Sequence, residues 1–291
     1  MSICVSVKVS EGLVLATDST TAVHGWLGGK SGKPGILKTY DHSKKLSQIK
    51  DYPIGTLTWG AGLLGKRSSE SLIKEYSYTL PSLKEEQEKI KENRIRDKSK
   101  NYERPEYNVR KIAEGLKNHF QKFYNTEFAE QPQNEIPNMG ILVSGYTSGK
   151  FSPEQWLIKL PGFSDIEEVR PDIDGKPDFG ANWFGLTDAI VRLHWGRDDE
   201  SLKILAENFK VSQEEIRKLL NKLQYIVIFD GMPLQDAIDY AVYLVNVVIG
   251  RFRFVVGVPL CGGDIDVSVI TPDEFNWIHR KYWKIRQSLS K

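Results

Sequence analysis

Cysteine, histidine and methionine are all scarce in this chain: 2 Cys, 5 His and 3 Met among 291 residues. Cys4 and Cys261 are too few for a disulfide framework, which argues against a secreted scaffold and for a reducing compartment. The histidines, at 24, 42, 119, 194 and 279, are scattered without paired metal-ligand spacing. Net charge is small as well. Lys and Arg number 40 against 38 Asp and Glu, leaving +2, which does not suggest nucleic acid as the main partner. Long apolar runs are missing too, since the longest is broken by Gly250, Arg251 and Arg253, so no bilayer span is expected. The first residues lack a basic stretch leading into an apolar one, so no signal peptide is expected either. Cytoplasm is the expected location, with neither a membrane nor a nucleic acid as partner.

The residues that are present suit a globular chain. Hydrophobic residues make up 40% and charged ones 27%, enough for a sizeable core. Residues 3–9 place Ile3, Val5, Val7 and Val9 at period two, which predicts a strand half-buried on one face. Ser10-Glu11-Gly12 predicts a turn, and Leu13 to Ala16 a second strand that closes a hairpin. Residues 24–35 are Gly-rich and predict a flexible loop. Ile36 to Tyr40 and Lys44 to Ile49 then read as a hairpin around Asp41-His42-Ser43. Leu57 to Trp59 reads as a strand, and a helix is expected from about Gly65 to Tyr78.

Farther along, Val109, Ile112, Leu116, Phe120 and Phe123 mark one face of a helix. Met139 to Tyr146 and Gln155 to Leu160 predict paired strands, whereas 161–186 shows little period. Thr187 to Trp195 reads as a helix. Pro233 to Ile249 gives the strongest helical pattern, with Pro233 in the first turn. Asp264 to Thr271 and Phe275 to Arg280 close the chain as strands. The dense charge of 79–105 and 197–226 fits exposed helices or insertions. Alternation within the strands favours antiparallel pairing, with helices packed on sheets.

Three sequence features carry no site. GGKSGK at 28–33 lacks the Gly that a phosphate loop needs at position 24, where the chain has His24, and no helix follows it. Cys4 reads as a small core side chain. The C-terminal aromatics Trp277, Tyr282 and Trp283 read as packing or an oligomer contact.

Three segments, in order, resemble one family. The opening hairpin followed by Ala-Thr-Asp-Ser places Asp18 sixteen residues after Ser2. KKLSQI (44–49) precedes WGAGLLG (59–65), and CGGDIDVSVIT (261–271) follows a long apolar helix. Together they resemble proteasome β-subunits and their bacterial relatives, over residues 2–78 and 233–271. The resemblance implies an α+β fold: a four-layer αββα Ntn-hydrolase sandwich of two antiparallel sheets. It implies one domain over 1–291, with 79–105 and 197–226 as insertions. It also implies a homo-oligomer, ring or related, a peptide or unfolded-protein substrate, and no cofactor or metal.

The site residues that follow are Ser2, Asp18, Lys38 and Gly62. Ser2 is small enough to permit removal of Met1, which would leave a hydroxyl and a free α-amine on one residue. An α-amine titrates near 7.7–8.0, close to the working pH of a general base. The amine can then activate its own hydroxyl. In the family the Asp pairs with a Lys and orients that amine. Counting back from Lys44-Lys45 makes Lys38 the nearest lysine, with Lys33, Lys44 or no lysine as alternatives. Gly62 matches the glycine whose N–H donates to the oxyanion. The accessory positions depart from the family. Val258 stands where it has an Asp, 182–185 lacks its Ser, and Cys261 replaces a Ser. The runner-up is therefore a non-catalytic structural or binding subunit of a homo-oligomer.

Overall fold

The computed structural model describes residues 2–27, 33–96, 105–162 and 165–282. The chain opens with the strands β1 (Ile3–Val9), β2 (Gly12–Thr17), β3 (Thr21–Leu27), β4 (Lys33–Tyr40), β5 (Leu46–Gln48), β6 (Ile54–Gly60), β7 (Leu63–Leu64) and β8 (Arg67–Ser68). Helices α1 (Ser69–Thr79), α2 (Leu83–Arg96) and α3 (Val109–Glu127) follow, then β9 (Met139–Gly145), β10 (Glu154–Leu160), β11 (Glu167–Glu168) and β12 (Gly180–Gly185). Helices α4 (Asp188–Trp195), α5 (Asp199–Phe209), α6 (Gln213–Leu220) and α7 (Leu234–Phe254) precede the last strands, β13 (Asp266–Ile270) and β14 (Phe275–His279).

The fold is mixed α and β with antiparallel sheets. One five-stranded sheet has the order β12-β1-β2-β13-β14 and a second the order β11-β10-β9-β6-β5. Strand alternation sorts side chains between three clusters. Leu13 and Leu15 of β2 meet Leu57 of β6 and Leu142 of β9 in one cluster. On the other face of β2, Val14 and Ala16 meet Ala241, Leu244 and Val245 of α7. The opposite face of β9, with Ile141 and Val143, packs with Ile112, Leu116 and Phe120 of α3.

β1 departs from the half-buried strand expected of its alternation, because all seven of its residues are buried. It lies between β12 and β2, with Val5 and Val7 in the α7 cluster and Cys4 in the cluster shared by both sheets. Small or polar residues on a period-two strand therefore mark a packed face here, not a wet one.

Other boundaries also differ from expectation. Ile36 to Tyr40 does not pair with 44–49. β4 runs back along β3, with Thr21 opposite Tyr40, while β5 pairs with β6. Much of 24–35 therefore belongs to a hairpin, and 28–32 lies outside the described residues. α1 starts at Ser69 because Ser68 caps it, its Oγ accepting from Ser71 N at 3.1 Å. Within 161–186, the Gly- and Asn-bearing β12 pairs with β1 over six residues. The charged segment from 83 forms α2, anchored by the buried Leu83, and that from 197 forms α5 and α6. Among the described residues no helix is long and apolar enough to cross a membrane.

Candidate active site

Ser2 stands immediately before β1 and is held from both sides. Its carbonyl accepts from Leu186 N at 2.7 Å, just after β12. The next residue, Ile3, donates its N–H to Asp18 Oδ1 at 3.0 Å and accepts from Thr17 Oγ1 at 2.8 Å. Gly185 lies opposite Ile3 at φ +90°, and a Cβ there would run into the Ser2 carbonyl oxygen. Only glycine fits both that angle and that approach. The side chain of β12 that is missing is thus what lets the start of β1 dock.

Asp18 follows β2 and is fully buried. Each carboxylate oxygen takes two donors. Oδ1 accepts from Ile3 N and, at 2.7 Å, from Lys45 Nζ; Oδ2 accepts from Thr20 N at 3.1 Å and Gly262 N at 3.3 Å. A buried carboxylate is tolerated only when paired and hydrogen-bonded in this way. Lys45 is itself 5% exposed and also donates to Thr20 O at 2.6 Å. Its position is fixed by the main chain, because Thr58 N of β6 donates to Lys45 O at 2.9 Å.

The lysine on Asp18 is therefore Lys45, not Lys38. Lys38 is exposed on β4 opposite Val23. Lys33 begins the same strand and is exposed, and Lys44 pairs with Glu70 at 3.2 Å. Lys38 follows only from a count through a turn whose length is not set by local sequence. The Lys-Lys-Leu segment itself already contained the right residue.

Gly62 lies with Ser2, Lys45 and Thr21 around one small concavity. A Cβ on Gly62 would meet only Thr21 Oγ1, at 3.4 Å, an ordinary contact. Packing therefore does not demand glycine there. Of the departures from the family pattern, Val258 is 46% exposed, Cys261 is buried, and 182–185 is the body of β12. Burial pushes the Cys4 thiol up to about 12 and raises that of Cys261 as well, so both stay protonated near neutrality.

A second buried ion pair reaches Ser19, the residue after Asp18, and no sequence pattern marks it. Lys281, just after β14, sets Nζ 2.6 Å from Asp266 Oδ2 on β13 and donates to Ser19 Oγ at 2.8 Å. Burial lowers its pKa, with Asp266 opposing that effect. Asp266 could be seen within the 261–271 segment, but nothing in a charged tail distinguished Lys281 from its neighbours.

A concavity of about 680 Å³ lies elsewhere, beside β12, α4 and α7, with Trp183, His194 and Tyr240 in its wall. Phe184 in its wall stacks on Trp59, which lines the concavity at Ser2, with ring centroids 4.5 Å apart. Among the described residues, no group of three His, Cys, Asp or Glu side chains could hold a metal ion. Chemically, the arrangement around Ser2 offers a hydroxyl, a buried carboxylate–ammonium pair and a main chain held by hydrogen bonds on both sides. Compared with models of known protein families and with curated proteins, the chain matches none.

Proposed function

We propose that the chain is a proteasome-like N-terminal-nucleophile hydrolase that cleaves peptide or amide bonds with Ser2 once Met1 is removed. The observation that carries this reading is the buried Asp18–Lys45 pair bound directly to the N–H that follows Ser2. Structural ion pairs need not lie beneath a hydroxyl-bearing residue at a strand start; one that fixes charge near an α-amine suits an amine that must act as base. The three side-chain clusters also support reading the two sheets as the inner layers of an αββα sandwich.

In the proposed reaction, Ser2 Oγ attacks the carbonyl carbon while its proton passes to the Ser2 α-amine. The oxyanion so formed accepts from the Gly62 N–H; one such donor contributes on the order of 2.7–4 kcal/mol. The protonated amine then gives its proton to the leaving nitrogen, and the C–N bond breaks to leave an ester on Ser2. Water hydrolyses the ester, with the amine again taking and returning the proton. Lys45 and Asp18 keep the amine's surroundings fixed, and the cation disfavours premature protonation. We further propose a homo-oligomer in the cytoplasm, with peptide or unfolded protein as substrate.

The second reading, a non-catalytic relative that keeps the fold, is favoured by the exposed Val258 and by Ser2 being only 3% exposed. Covalent labelling separates the two. A peptide epoxyketone, which needs both the hydroxyl and the free amine, labels residue 2 under the first reading and leaves the protein unmodified under the second.

A further inference from the structure

Asp18 receives its two Oδ2 donors from two different turns, one spanning Ser19 and Thr20 and the other Gly262 to Asp264. These turns are laced together. Ser19 N and Thr20 N both donate to Gly262 O, at 2.9 and 3.1 Å, and Ser19 Oγ donates to Asp264 O. Gly263 sits at φ +74°, where a Cβ would come within 2.7 Å of Asp41 O, so the second turn is tightly seated. Into this junction comes a side chain from the other end of the sequence. Lys281 Nζ donates to Ser19 Oγ, and its charge is met by Asp266, whose Oδ1 also accepts from Lys281 N at 2.9 Å.

We propose that Lys281 is a positioning residue for Asp18: it locks the Ser19–Thr20 turn against the Gly262–Asp264 turn and so keeps both Oδ2 donors in place. This rests on the reading of Ser2 as the nucleophile, but it names a residue outside every segment that carried that reading. Lys281 is 7% exposed as a residue, its ammonium is within hydrogen-bond reach of two groups, and it touches no reacting atom. Its effect on the reaction passes through Ser19 to Thr20 and Gly262, and from their N–H groups to Asp18. The segment after β14 thereby becomes part of what holds the site.

The test uses full-length protein with Ser2 as its first residue, titrated with a peptide epoxyketone so that inhibitor affinity and inactivation rate are separated. The double variant K281M/D266N removes the pair without leaving either charge alone. The variant S19A leaves the pair intact but cuts its link to Ser19 together with the Ser19 Oγ–Asp264 O bond. Both are expected to lower the inactivation rate about tenfold, with affinity little changed. Exchange of the Thr20 and Gly262 amides should speed up by about tenfold in the same proteins. Parental inactivation rate and parental amide exchange in folded K281M/D266N overturn the proposal whatever S19A does, and the same result in folded S19A overturns it even if the double variant does not fold. Failure of the parent protein itself to be labelled at Ser2 is a different result: it overturns the nucleophile reading, and this one with it.

Discussion

Lys45 Nζ lies 2.7 Å from Asp18 Oδ1, with both side chains withdrawn from solvent and the same oxygen receiving the N–H of Ile3. The ammonium, the carboxylate and the main chain of β1 therefore form one hydrogen-bonded line ending next to Ser2. Replacing Lys45 with Met leaves a buried carboxylate without its partner, which costs about 3–5 kcal/mol. Urea unfolding of Lys45→Met should show that loss, and Lys45→Met/Asp18→Asn should recover part of it. Both variants should lose labelling of Ser2. Lys38→Ala, on an exposed strand, should change stability by less than about 0.5 kcal/mol and leave labelling intact.

Gly185 and Gly62 are expected to respond in opposite ways. Gly185→Ala places a Cβ at φ +90° against the Ser2 carbonyl, so both strain and displacement follow. It should destabilise the fold by about 1–3 kcal/mol and displace Ser2. Gly62→Ala meets only Thr21 Oγ1 at 3.4 Å, so its melting temperature should stay close to the parent's. Its inactivation by the epoxyketone should nevertheless slow, because the new methyl crowds the N–H proposed to donate to the oxyanion. A Gly62→Ala protein that labels at the parental rate would remove Gly62 from the site.

Stability should also fall in acid, through His194. Its ring is buried beside Trp183 and hydrogen-bonded to Tyr240 OH at 2.8 Å, and burial lowers its pKa below the ordinary imidazole value of about 6.5. The unfolded chain therefore binds this proton at a higher pH than the folded one. This contribution to stability is fully present above about pH 6.5 and is lost as pH falls toward the lower folded value. Urea midpoints measured from pH 7.5 to pH 5 should decline, and His194→Asn should decline less steeply. Equal slopes in the two proteins would contradict the assignment.

The sequence revealed the strands and helices whose periods were strong and hid those that depended on partners. The apolar face of α3 and the paired β9 and β10 could be read directly, since 3.6- and 2-residue periods report burial on one side. β12 could not, because Gly180, Gly185 and Asn182 carry no strand preference and pair with β1 only in the folded chain. The same holds at the site. Ser2 and Asp18 could be matched by spacing along one hairpin, which fixes their register. Lys45 needed the lengths of β3 and β4, and Lys281 needed a contact spanning 262 residues to Ser19. Long-range side-chain pairs leave no local trace, whereas spacing within a hairpin does.

The measurement that bears most directly on this account is intact-mass spectrometry of the protein from its own host, before and after exposure to a peptide epoxyketone, with the adduct mapped by fragmentation. The account predicts loss of Met1 and one adduct, on Ser2, absent from Ser2→Ala. A chain that keeps Met1, or one that loses it and takes up no adduct at Ser2, would contradict it.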